Sequence, residues 1–209
     1  MENKTKRAFI IVDVQNDFIE GGSLAVPKGS EVVPVINSIR KKNKFDLIVL
    51  TQDWHPSDHS SFAVNNNAEL FSVKELETGP QVMWPVHCVQ NTEGAKFVSN
   101  LVHEESDIVV QKGKNTKVDS YSGFWDNNKA QKTDLEDILK QNNITDTYIC
   151  GLAYDYCVSF TAVDSAECGF KTFFIEDATR GLQEETMLKA KEKMEKVGVK
   201  LLKSTDLDF

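Results

Sequence analysis

The sequence predicts an α/β fold, a three-layer α/β/α arrangement around a six-stranded parallel sheet, and three observations support this. Six short apolar runs are spread along the chain, segments with helical periodicity separate most of them, and out-of-place polar residues stand just past several of their ends. At 209 residues the chain is long enough to bury a full core without metal or disulfide staples, so residues 1–209 read as one domain.

The first run, Ala8-Phe-Ile-Ile-Val-Asp-Val14, is apolar except for one acid, as suits a central parallel strand buried on both faces. Asp13 is the anomaly. A buried carboxylate is costly unless paired, so it is either held by backbone donors or kept for chemistry. Residues 15–30 carry Gly21-Gly22, Pro27 and Gly29 and read as a loop. Val32, Val33, Ile36 and Ile39 mark one face of a helix that closes in Arg40-Lys-Lys42, and Leu47-Ile-Val-Leu50 is the second strand. Gln52 to Asn91 is a long irregular region, a length usually associated with function. It holds His55, His59 and His87; the fourth histidine, His103, reads as a surface residue.

Asp107–Gln111 is the third strand, leading into Lys112-Gly-Lys114 and a second polar loop through Ser120–Trp125. Thr133-Asp-Leu-Glu136 fits a capping box for a helix reaching Lys140. Tyr148-Ile-Cys-Gly-Leu-Ala153 is the fourth strand, and Val158, Thr161, Ala162 and Ser165-Ala166 fall at helical spacing, so a helix opens near Asp155. Lys171–Ile175 is the fifth strand, 184–196 an amphipathic helix and Val199–Leu202 the sixth strand. No repeat or linker interrupts the series.

Composition narrows the partners. With 40% apolar and 27% charged residues the chain is ordinary globular material. A net charge of -8 and a pI near 5.1 disfavour nucleic acid and anionic membrane, leaving small molecules. Met1–Arg7 is polar and the apolar run after it is too short for a signal peptide or a span, so a soluble, cytoplasmic protein is expected. Cys88, Cys150, Cys157 and Cys168 form no CxxC pair and are expected as reduced thiols.

In an open parallel sheet the ligand site lies beyond the carboxyl ends of the strands. Asp13 ends the first strand, Asp53 follows the second, Lys114 the third and Cys157 the fourth, so the unusual polar residues gather on one edge. Cys157 falls at a strand-to-helix turn, where the helix end favours a thiolate and unpaired N–H groups suit an oxyanion. Taken alone it reads first as a small buried hydrophobe, as most cysteines are, and the gathering of polar residues on one edge is what shifts the reading to an active site. Ordinary pKa values set roughly 6 kcal/mol against proton transfer from thiol to carboxylate, so Asp13 and Cys157 need a helper, and Lys114 beside Gly113 is the candidate. Asp53, His55 and His87, with His59 as a weaker candidate, form a ligand set for zinc, iron or manganese; the alternative is that the histidines only cap loops.

Six segments then carry a resemblance over nearly the whole chain. They are Ile11-Val-Asp-Val-Gln-Asn-Asp-Phe18, Thr51-Gln-Asp-Trp-His-Pro56, Trp84-Pro-Val-His-Cys88, Lys112-Gly-Lys114, Tyr121-Ser-Gly-Phe124 and Gly151-Leu-Ala-Tyr-Asp-Tyr-Cys157. The chain resembles the isochorismatase-like cysteine hydrolases, and the metal-loop segments resemble their nicotinamidase/pyrazinamidase branch. The resemblance implies a catalytic triad of Asp13, Lys114 and Cys157, one divalent ion on Asp53, His55 and His87, and backbone N–H groups of Ala153 and Cys157 for the oxyanion. It also implies a cis peptide before Ala153, ring contacts from Phe18, Trp84 and Tyr121, and hydrolysis of nicotinamide to nicotinate through a cysteine thioester, feeding NAD salvage. Zinc is the first choice of ion, with iron or manganese as alternatives, and homo-oligomerisation stays open. The implied strand order, 3-2-1-4-5-6, sets Lys114 across the second strand from Asp13, so the loop after Gly113 has to curl back. Tyr156 receives no role. Two other readings stand beside this one: the same thiol acting on N-carbamoyl or ureido amides without the metal, and Cys157 as a redox-sensing thiol.

Overall fold

A computed structural model describes residues 5–209; the first four residues of the polar N-terminal segment lie outside the described residues. Six parallel strands form the main sheet: β1 (Arg7–Val12), β2 (Leu47–Asp53), β5 (Ile108–Lys112), β6 (Asp146–Leu152), β7 (Lys171–Arg180) and β8 (Lys200–Leu202). Their order, β5-β2-β1-β6-β7-β8, is the one the resemblance implied. β1 lies at the centre and pairs with β2 on one side and β6 on the other, which is why its run is continuously apolar.

Alternation along β1 divides the core. Phe9 and Ile11 pack with Val32, Val33, Ile36 and Ile39 of α1 (Val32–Lys42) on one face. Ala8, Ile10 and Val12 pack on the other against α2 (Leu135–Gln141), α3 (Ser159–Glu167) and α4 (Glu184–Lys196). Each fully buried aliphatic side chain of this kind contributes about 1.5–3 kcal/mol, so two opposed apolar faces hold the sheet between helices. No helix among the described residues is long and apolar enough to cross a membrane.

The structure departs from the sequence reading in three elements. The region between β2 and β5 contains a two-stranded antiparallel hairpin, β3 (Val73–Leu76) and β4 (Gly79–Val82). The capping box of α2 is half formed: Thr133 Oγ1 accepts the Leu135 N–H at 3.1 Å, while Glu136 pairs with Lys140 instead of reaching back. β7 runs on past Ile175 to Arg180, with a register irregularity where it passes β6.

Candidate active site

The carboxyl ends of β1, β6, β2 and β5 each deliver one ionisable side chain to a common buried point. Asp13 follows β1 in left-handed backbone (φ 48°), a conformation that aspartate tolerates better than most residues. Its Oδ1 accepts from Thr51 Oγ1 at 2.6 Å. Cys157 lies in a wide π-type turn, Tyr154–Val158, between β6 and α3. Gly151 allows β6 to lie close on β1 beneath it, since a Cβ there would stand 2.1 Å from Val12 O. The Leu152–Ala153 peptide is cis.

The lysine that reaches this point is Lys112, and Lys114 is solvent-exposed. The cause is strand alternation. Lys112 follows Val110 on the buried side of β5 and is in register with Asp53, so its stem runs inward over the edge of β2. Gly113 then turns the chain at φ +66°, and Lys114 falls outside. The ammonium of Lys112 donates to Asp53 Oδ1 (2.5 Å), Ser120 O (2.8 Å) and Cys157 Sγ (3.4 Å). With its three protons so placed, Nζ lies 2.9 Å from Asp13 Oδ2 without an aligned hydrogen bond. Asp13 Oδ2 is therefore held by the charge of Lys112 and not by a well-aligned hydrogen bond, and the Asp13 carboxylate has an oxygen within 4.8 Å of Cys157 Sγ.

Burial decides the protonation states. It pushes the Cys157 thiol well above its ordinary value, and the Lys112 ammonium only partly opposes it, so the resting sulfur is a neutral thiol. Burial also raises Asp13, against the pull of Lys112. Asp53 goes the other way: burial is overcome by Lys112 and then by His55, which hold it low. Lys112 is depressed by burial but lifted further by Asp13 and Asp53, and stays charged.

Asp53 also belongs to the second cluster. Its Oδ2 lies 3.6 Å from His55 Nε2 and 4.0 Å from His87 Nε2. Ligands about 2.1 Å from a tetrahedral ion stand about 3.4 Å apart, so this set fits a divalent ion with little movement. The outer hydrogen bonds agree. His55 Nδ1 donates to Gly113 O at 2.9 Å and His87 Nδ1 to Pro85 O at 2.7 Å, which leaves both Nε2 atoms for a ligand. Three protein donors leave coordination positions open. His59 is buried 4.3 Å, ring to ring, from His55; its Nδ1 meets Ser61 Oγ at 2.7 Å and its Nε2 has no partner among the described residues.

A narrow cleft opens onto both clusters, with Asp53, His87 and Cys157 in its wall. Phe18, Trp84 and Tyr121 all line it, as does Ala153. The sequence reading missed Tyr156, Leu182 and Asp119, which line it too. It also missed Gln15, whose side chain grips the backbone of Asp53 by accepting its N–H (2.8 Å) and donating to its carbonyl (2.9 Å). Gln15 carried a signal in its place between Asp13 and Asp17; Asp119, in a polar loop, carried none.

Residues 7–206 match the family described as the isochorismatase domain. The nicotinamidase of Escherichia coli is 43% identical over 178 residues, covering 84% of each chain. Among solved structures, a nicotinamidase/pyrazinamidase of Acinetobacter baumannii superposes with a TM-score of 0.94 at 39% identity, covering 99% of this chain and all of that one. A pyrazinamidase of Pyrococcus horikoshii in complex with zinc gives a TM-score of 0.78 at 36% identity, covering 95% and 99%. On a match that runs through every strand of the sheet and all the residues gathered at its edge, this chain belongs to the isochorismatase-domain family.

Proposed function

We propose that this chain is an amide hydrolase that converts nicotinamide to nicotinate and ammonia through a thioester on Cys157, with Asp13, Lys112 and Cys157 as the catalytic residues. The observation that carries the proposal is the buried Cys157 thiol, 3.4 Å from Lys112 Nζ and within 4.8 Å of an oxygen of Asp13, at the floor of an aromatic cleft.

Phe18, Trp84 and Tyr121 enclose the planar ring and hold the carboxamide over Cys157. Asp13 Oδ2 takes the thiol proton and the sulfur adds to the carbonyl carbon. Lys112, fixed by Asp53 and Ser120, offsets the negative charge at the sulfur before attack. The N–H groups of Ala153 and Cys157 hold the oxyanion. Asp13 passes its proton to the departing nitrogen, which leaves as ammonia. Water then adds to the thioester with Asp13 as base, releasing the carboxylate and restoring the thiol. Asp53, His55 and His87 would hold a divalent ion, zinc first, with His59 as a further candidate; such an ion supplies an open site for a ring nitrogen and withdraws electron density from the ring. We assign the reaction to NAD salvage and the enzyme to the cytoplasm, a compartment in which a catalytic thiol stays reduced.

The test is ammonia release from nicotinamide, pyrazinamide and an N-carbamoyl amino acid, with and without chelator. Activity on the pyridine and pyrazine amides, lost on chelation and in Cys157→Ala, is expected. Wild-type rates in Cys157→Ala, or turnover confined to the N-carbamoyl compound, would overturn the proposal.

A further inference from the structure

The β3–β4 hairpin is turned mostly to solvent, and Gln81 is its one buried side chain. A buried amide needs partners, and this one finds them in the wall of the cleft. Gln81 Nε2 lies 3.0 Å from Asp119 Oδ2, 3.2 Å from Tyr121 Oη and 2.9 Å from Val82 O, so its two N–H protons serve three acceptors and one of them is shared. The Val82 carbonyl can only accept, so the nitrogen of the amide is the atom on this side and the orientation of Gln81 is fixed. Tyr121 Oη also accepts from Trp84 Nε1 at 3.2 Å. One amide thus ties together three groups that line the cleft: Asp119, Tyr121 and, through the phenol, Trp84.

The tie matters because of what stands nearby. Asp119 has an oxygen within 4.8 Å of ring nitrogens of both His55 and His59. Its other restraint from the protein is the Ser120 N–H on Oδ1 at 2.8 Å. Without the Gln81 donor the carboxylate is free to turn to the imidazoles, and the phenol loses one of its two N–H donors.

We propose that Gln81 is a positioning residue, which by donating to Asp119 and Tyr121 sets the aromatic wall and so the tightness with which the cleft takes a planar ring amide. For its substrate this rests on the nicotinamide hydrolysis proposed above; its geometry does not. No hydrogen bond joins Gln81 to Cys157, Asp13 or Lys112, so the effect belongs in KM.

The experiment compares Gln81→Met, which keeps the volume and loses the donor, with Gln81→Glu, which keeps the shape and sets a carboxylate against Asp119. Zinc-loaded Gln81→Met is expected to show KM for nicotinamide raised about tenfold, as for a lost hydrogen bond to a charged group, with kcat within about threefold. Gln81→Glu should be worse. Combined with Tyr121→Phe, the KM effects should fail to multiply, because both changes break one network. A second readout needs neither metal nor turnover: Gln81→Met should shift tryptophan emission, and the shift should vanish in a Trp84→Phe background. KM values within about twofold of wild type for both Gln81 variants, effects that multiply independently, or an emission shift that persists without Trp84 would each overturn the inference. If the wild-type protein hydrolyses no amide, the substrate reading fails, and the emission experiment still decides the role of Gln81.

Discussion

Replacing Lys112 by methionine takes away the ammonium that lies 2.5 Å from Asp53 Oδ1 and 2.9 Å from Asp13 Oδ2. Both acids are buried, Asp13 completely. Breaking a buried ion pair by removing one partner costs about 3–5 kcal/mol, since the remaining charge loses water as well as its partner. In a chain of this size each kcal/mol moves the melting temperature by about 2–4 °C, so a fall of roughly 6–20 °C is expected. The size depends on pH in a definite direction. With Lys112 gone, the folded-state pKa of Asp13 rises further above its unfolded value, and a protonated Asp13 needs no partner, so the gap to wild type narrows as pH falls. Ammonia release should fall at least about a hundredfold, because the thiol loses the cation beside it and Asp13 becomes a protonated, ineffective base. Lys114→Met is the control: an exposed side chain of this kind is worth within about 0.5 kcal/mol, and activity should hold within about twofold. Urea melts at several pH values and an ammonia assay on both variants decide the matter. A stable, active Lys112→Met beside an inactive Lys114→Met would refute the assignment and the strand-alternation argument beneath it.

Gly113→Ala should separate metal binding from folding. A Cβ there would lie 2.4 Å from His55 Cε1 in backbone at φ +66°, and the Gly113 carbonyl orients that imidazole, so zinc affinity should fall about 10–100-fold with the fold retained. Unchanged affinity in a competition titration against a chromophoric chelator would count against the ligand set. Acid should destabilise the metal-free protein through two of its histidines. Burial pushes His59 and His87 down to about 4 from an ordinary 6.5, so the unfolded chain binds these protons more readily. The contribution of these two rings to stability is therefore full above 6.5 and lost as pH falls towards 4, by about 3 kcal/mol at most for each, while His55 and Asp13, whose pKa values are raised, act in the opposite direction. Site-resolved titration of the two rings by NMR that returned ordinary imidazole values would show that they are not buried neutral.

How much of this was legible in the sequence depends on the range of the signal. The sheet was readable because Ala8–Val14 and Tyr148–Ala153 are apolar on both faces, and only a central parallel strand needs that. The helices of the covering layers followed from apolar spacing, with 184–196 matching α4 to the residue. The β3–β4 hairpin was not readable, since its strands bury one side chain and so carry almost no alternation. Lys112 was within reach. Counting by twos from Ile108 through Val110 puts it on the inward side, whereas a lysine beside a glycine at a strand end drew the reading two residues too far. Asp119 and Tyr156 lay beyond sequence reasoning, because their place in the cleft is set by loop paths that no local pattern encodes.

The two clusters are better understood as one charge system sharing Asp53. Asp13 and Asp53 bring two negative charges into a buried space and Lys112 returns one, leaving an excess of one. His55 is the group drawn towards making up the difference: burial lowers its pKa, but Asp53 more than reverses this, so the ring holds a proton more tightly than a free imidazole does. That proton occupies the position where a ligand set needs a lone pair, so metal binding and protonation compete for His55. Lys112 can therefore commit its three donors to Asp53, Ser120 and Cys157 while its charge still pairs with Asp13 Oδ2 at 2.9 Å, without serving as sole counterion to both acids. Binding another cation at Asp53 would strengthen the same division: the more completely Asp53 is satisfied from the histidine side, the more of the Lys112 charge acts on Cys157 and Asp13.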